Sequence, residues 1–97
     1  MKARLVYHMR EVKGNEIVEA RIWQVPIGKD KPDGIKFSIV YIKDGERIFG
    51  YDNAESKGYH RHYYNSEGPY QFRGIRQLLE DFKKELLKIR GRHWDES

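Results

Sequence analysis

The chemistry in this chain is concentrated between Tyr51 and Tyr64, which read Tyr-Asp-Asn-Ala-Glu-Ser-Lys-Gly-Tyr-His-Arg-His-Tyr-Tyr. Histidine changes charge near neutral pH, so His60 and His62 can take up and release a proton under ordinary conditions. Several readings fit the run. Metal-independent RNA cleavage needs a base for the ribose 2′-OH, an acid for the departing 5′-oxygen and a cation for the phosphorane. The two histidines, with Arg61 or Lys57, supply all of these. A His-x-His pair with Asp52 can also chelate a metal. No thiol and no evident fourth ligand accompany it, so neither metal nor cofactor is expected. The Tyr, His, Arg and Lys side chains can instead grip single-stranded nucleic acid by stacking and phosphate contact. The plainest reading is a polar edge strand whose histidines face water.

The rest of the composition narrows the setting. The chain has 97 residues, 19 Lys+Arg against 15 Asp+Glu, and a net charge of +4. That fits one domain spanning 1–97, built as a thin core of one sheet and one helix. Cysteine is absent, which excludes disulfides, thiolate nucleophiles and zinc-thiolate sites and suits a reducing cytoplasm. No apolar run approaches the ~20 residues of a membrane span. The basic excess is modest and forms no block, so charge alone does not mark a nucleic-acid binder.

The elements that must position the histidines follow from turn signals and periodicity. Strands are expected at about 3–12 and 16–25 around Gly14-Asn15, and at about 35–43 and 46–52 around Asp44-Gly45. Residues 26–34 form the loop between the hairpins. Ile75, Leu78, Leu79, Phe82, Leu86 and Ile89 recur with helical spacing, which predicts a helix over about 75–90, with Gly74 and Gln77 at its start and Gly91 as its stop. The 53–72 segment is a loop with a candidate fifth strand near 59–64. The expected fold is therefore α+β: a four- or five-stranded antiparallel sheet with one C-terminal helix packed on one face.

Strand parity sorts side chains onto faces. In the first hairpin, Leu5, Tyr7, Met9, Val18, Ala20 and Ile22 share the face that needs the helix. Val6, His8, Arg10, Glu19, Arg21 and Trp23 share the polar one. His8 reads as a surface residue, Trp23 as a packing residue and His93 as inert. The second hairpin reads as apolar on both faces, with Phe37, Ile39, Tyr41 and Ile48 on one and Val40, Ile42, Phe49 and Tyr51 on the other. Covering the second face requires the 53–72 segment, Tyr63 and Tyr64 included, or a partner chain such as a second copy. In the fifth strand, His60, His62 and Tyr64 fall on one side, Tyr59, Arg61 and Tyr63 on the other. On the helix, Arg76, Lys83 and Arg90 recur at spacing seven. A phosphate-binding ridge is one reading, and a solvated face with Glu80–Lys84 and Glu85–Lys88 pairs is the plainer one.

The order Tyr51-Asp52-Asn53, Lys57-Gly58, His60-Arg61-His62, Pro69-Tyr70-Gln71-Phe72 and a Leu/Phe-rich C-terminal helix resembles the TumE-like toxins of bacterial and archaeal type II toxin–antitoxin systems. The resemblance covers nearly the whole chain, and its most specific part is Gly-x-His-Arg-His after Tyr-Asp-Asn. It implies a cytoplasmic growth inhibitor, held inactive by a helix-turn-helix antitoxin and acting on RNA. Asp52, Lys57, Gly58, His60, Arg61 and His62 fall on the family's pattern. Tyr59 departs from it, standing where an acidic residue is common, so that the site either does without that carboxylate or recruits Asp52 or Glu55. The resulting expectation is an endoribonuclease. His60 and His62 serve as base and acid, Arg61 and Lys57 bind the phosphate, and Asp52 orients an imidazole. Tyr59, Arg10 and Arg21 extend the RNA path. The rival expectation is a non-catalytic module that uses the same surface to bind nucleic acid, an antitoxin or a second copy.

Overall fold

The computed structural model describes residues 3–53 and 58–90. Six strands, β1 (Arg4–Lys13), β2 (Glu16–Gln24), β3 (Ile35–Lys43), β4 (Glu46–Asp52), β5 (His60–Tyr63) and β6 (Ser66–Pro69), form one antiparallel sheet in sequence order. Helix α1 (Ile75–Arg90) follows. Both two-residue turns hold the expected register, with Lys13 opposite Glu16 and Lys43 opposite Glu46. Asp44 and Gly45 both have positive φ, as such a hairpin turn requires. Six strands replace the four or five expected. The candidate fifth strand is present, and β6 was hidden because Ser-Glu-Gly-Pro has poor strand propensity, tolerable only in a short edge strand.

A bulge corrects the reading of the second hairpin. Ile42 pairs with Arg47 but Tyr41 pairs with Phe49, so Ile48 is an extra residue in β4. The slip brings Ile48, Phe49 and Tyr51 into one buried cluster with Phe37, Ile39 and Tyr41. Gly50 and Asp52 turn to the opposite face instead, beside Val40 and Ser38. The face expected to be apolar therefore keeps Val40 and Ile42 but otherwise carries Ser38, Arg47, Gly50 and Asp52. Tyr63 and Tyr64, expected to cover that face, are both substantially exposed.

The core lies on the other side of the sheet. Leu78 and Phe82 of α1 are buried in it, Phe82 stacking 4.8 Å from Phe49. Half-buried Tyr59, Tyr70 and Phe72 complete the layer, so the 53–72 segment contributes to the helix side. A second register shift between Leu5 and Tyr7 sets Leu5 opposite Trp23, away from the face expected for it. Leu5, Val6 and Tyr7 remain exposed, since the buried layer begins at Val18, Ala20 and Ile22 of β2.

Polar ties anchor α1. Asp81 accepts from Tyr70 Oη (2.6 Å) and Gln77 Nε2 (2.9 Å). In the last turn Arg90 Nε lies 2.8 Å from Glu16 Oε1, which also accepts from Tyr41 Oη at 3.0 Å. Arg90 is thus an anchor, not part of a solvated ridge. Of the surface pairs expected, Glu85 turns to the sheet, and Glu80 pairs loosely with Arg76 at 3.9 Å. Gly91 and His93 lie outside the described residues.

These anchors make stability fall in acid. Burial raises the Glu16 and Asp81 carboxyls, but it is outweighed by their hydrogen bonds and nearby cations, which leave both below their ordinary values of 4.5 and 3.8. A carboxyl depressed in the folded state stabilises fully above its unfolded value and loses that contribution as pH falls through the folded one. The thermal midpoint is expected to drop from about pH 5 to about pH 3, and Asp81→Asn to flatten the drop. An unchanged slope in that variant would exclude Asp81 as a contributor.

Candidate functional site

The strand register builds the site. Asp52 ends β4 opposite His60, and His62 stands opposite Gly50, so the carboxylate and both imidazoles project from the same face. Asp52 Oδ1 lies 2.7 Å from His60 Nε2, and Oδ2 lies 3.0 Å from His62 Nε2. The rings meet edge to face with centroids 4.9 Å apart. β6 adds Glu67, which pairs with His62 in register and places Oε2 3.3 Å from His60 Nε2. β4 adds Arg47, whose Nη2 stands 3.5 Å from His62 Nδ1.

The partners assign the ring nitrogens. His60 Nδ1 lies 3.1 Å from Gly58 O, an acceptor, and so carries a proton. His60 Nε2 faces two carboxylates, so a protonated ring satisfies every contact. His62 Nδ1 faces a guanidinium, which can only donate, leaving the Nε2 side of that ring toward Asp52. His62 Nε2 is sealed from solvent, and its approach to Asp52 is not aligned as a hydrogen bond.

Asn53 holds the end of β4 in place. It is 1% exposed, accepts from Phe37 N at 2.9 Å and donates to Ile35 O at 2.8 Å. Gly50 lets β3 come close, because a Cβ there would stand 2.5 Å from Ile39 O. Ser38 and Val40 of β3 stand between Asp52 and Gly50 on one side and Arg21 and Glu19 on the other.

The remaining expected residues divide cleanly. Arg10 and Arg21 share the histidines' face, on rungs that run His8–Arg21–Ser38–Asp52–His60 and Arg10–Glu19–Val40–Gly50–His62. Arg21 pairs with Glu19 at 2.9 Å, as does His8 at 3.1 Å. Lys36 sits 5.4 Å from the Trp23 ring beside them. Arg61 leaves on the helix side, where its Nη2 lies 2.7 Å from Glu85 Oε2. Burial alone would lower that guanidinium, but Glu85 and Tyr51 raise it overall. Tyr59 also lies on the helix side, stacked on Phe72 at 4.8 Å and hydrogen-bonded to Asp33. Burial, then Asp33, pushes its phenol up to about 12. Lys57 and Glu55 lie outside the described residues. Asp52 is a carboxylate in contact with both histidines. Arg47 and Glu67 were missed because nothing local marks them; only the bulge and the sixth strand aim them here.

A protein-family model described as Toxin TumE matches residues 2–92. The chain belongs to this toxin family. Membership in the TumE family implies a cognate antitoxin, and the match includes every residue of the site. No curated protein and no solved structure matches the chain. Among the described residues, no helix of this TumE-family member is long and apolar enough to cross a membrane.

Proposed function

We propose that this TumE-family toxin acts in the cytoplasm as a metal-independent endoribonuclease, restrained by a helix-turn-helix antitoxin. The observation that carries the reading is one carboxylate, Asp52, shared by two largely buried imidazoles 4.9 Å apart on the partly basic sheet face away from the helix. His62 is the base. Its Nδ1 takes the ribose 2′-OH proton as that oxygen attacks the adjacent phosphorus. His60, protonated between Gly58 O and the carboxylates, returns a proton to the 5′-oxygen as the phosphorus–oxygen bond breaks. The products are a 2′,3′-cyclic phosphate and a 5′-hydroxyl. Arg47 takes the phosphate role first expected of Arg61, because it alone of the two stands on the histidines' side. Arg21 lies two strands from Asp52, about 10 Å at ordinary strand spacing, and with Arg10 it carries the RNA away from the centre.

Purified protein is expected to cleave RNA in EDTA, and His60→Ala and His62→Ala each to lose about 10²–10⁴-fold in rate. RNA or antitoxin binding without turnover would instead support a non-catalytic module on the same face. Unchanged cleavage in both variants would remove the assignment of roles.

A further inference from the structure

We infer that Asp52, His60, His62 and Glu67 form a binding site for a single borderline divalent cation such as Zn²⁺, and that its occupancy switches the proposed proton-transfer chemistry off. The site shares residues with the ribonuclease reading, but metal binding itself does not depend on that reading.

Three observations converge. One ligand atom from each of Asp52, His60 and His62 lies within 4.8 Å of the others, and Glu67 Oε2 stands 3.3 Å from His60 Nε2. Tetrahedral zinc with bonds of about 2.0–2.2 Å spaces its ligand atoms by roughly 3.3–3.6 Å. The carboxylate oxygens 2.7 and 3.3 Å from His60 Nε2 and 3.0 Å from His62 Nε2 are close to that spacing, so small side-chain shifts would bring four donors around one ion. Second, His60 presents Nε2 inward and donates Nδ1–H to Gly58 O, the outer contact that fixes a metal-binding tautomer. Third, His62 Nε2 is buried without an aligned hydrogen-bond partner, and a cation would satisfy it. The donor set of imidazole and carboxylate, with no thiolate, suits Zn²⁺ and its neighbours.

Binding carries a chemical consequence. The metal takes the Nε2 lone pairs of both rings, so His60 no longer has a proton to give there. His62, ligated at Nε2, keeps its remaining proton on Nδ1 and cannot act as the base. That proton would meet Arg47, a donor, so the exposed Arg47 side chain must release the ring. Arg47 thus opposes the metal while supporting the chemistry.

Calorimetric titration of the full chain with Zn²⁺ is expected to show one ion per chain. His62→Ala and the milder Asp52→Asn should each weaken binding about 100-fold or more. Arg47→Ala should tighten it, and His8→Ala, which alters the separate His8–Glu19 pair, should leave it unchanged. Equimolar Zn²⁺ should suppress the EDTA-resistant cleavage. Binding that is absent, or that survives in folded Asp52→Asn and His62→Ala, overturns the site. EDTA-resistant cleavage without Zn²⁺ binding leaves the ribonuclease reading standing and the metal site refuted. Tight binding with cleavage that requires Zn²⁺ upholds the ligands, refutes the off-switch and removes the metal-independent mechanism.

Discussion

Asp52→Asn is expected to lower RNA cleavage by about 10²–10⁴-fold while leaving the protein folded. A carboxylate accepts from two N–H groups at once, whereas a carboxamide offers one acceptor and one donor group. With a carboxamide in place of the Asp52 carboxylate, one imidazole meets an N–H where it met an oxygen. His60 cannot change tautomer without losing its bond to Gly58 O, and Glu67 Oε2 at 3.3 Å gives it a second acceptor. The mismatch therefore falls chiefly on His62, for whose Nε2 Asp52 is the carboxylate in reach among the described residues. A wrong tautomer there places the proton on Nδ1, where the base needs a lone pair. In the proposed mechanism Asp52 positions an imidazole and Arg47 and Arg21 hold the phosphates, so kcat should fall more than KM rises. Nitrogen-15 spectra of the imidazoles should show the His62 proton relocated. Cleavage within about threefold of the parent, with normal tautomers, would remove Asp52 from the mechanism.

The strands that carry the site were legible because their turns are local. Asp44-Gly45 fixes a register that pattern alone then extends, and the period-two rule placed His60 and His62 on the same side and Arg61 on the other. What could not be read was the bulge at Ile48. An extra residue leaves no mark in an apolar run, yet it reverses the face of every β4 residue beyond it. Without it, Asp52 and the β5 histidines paired with that end of β4 would turn together toward the helix, away from Arg47. Arg47, just before the bulge, keeps the parity set by the turn and stays on the histidines' face. Arg61 is adjacent in sequence to both histidines but opposed to them in parity, whereas Arg47 is distant and aligned. Glu67 needed β6, whose residues give no strand signal.

The bulge moves Asp52 to the open face, and Asn53 keeps it there. Asn53→Ala is expected to destabilise the fold by about 2–5 kcal/mol, because it strips the partners from two main-chain groups, the buried Phe37 N–H and the part-buried Ile35 C=O. Each such group left unpaired costs about 1–3 kcal/mol. Asn53 is 1% exposed, so water does not readily replace the side chain. The ladder between β3 and β4 runs only to Ser38 and Asp52, and this side chain extends the attachment past its end. Loosening it frees the carboxylate as well as the strand. Denaturant titration should therefore show a lower midpoint with an unchanged slope. Cleavage should fall even at temperatures where the variant is folded. Asn53→Asp separates the two contacts, since a carboxylate still accepts from Phe37 N–H but cannot donate to Ile35 O. It should be intermediate in stability if both bonds matter. A loss below about 1 kcal/mol in Asn53→Ala would mean that the two main-chain groups find other partners, and that packing and the Asn53 N–H to Phe37 O bond hold the end of β4.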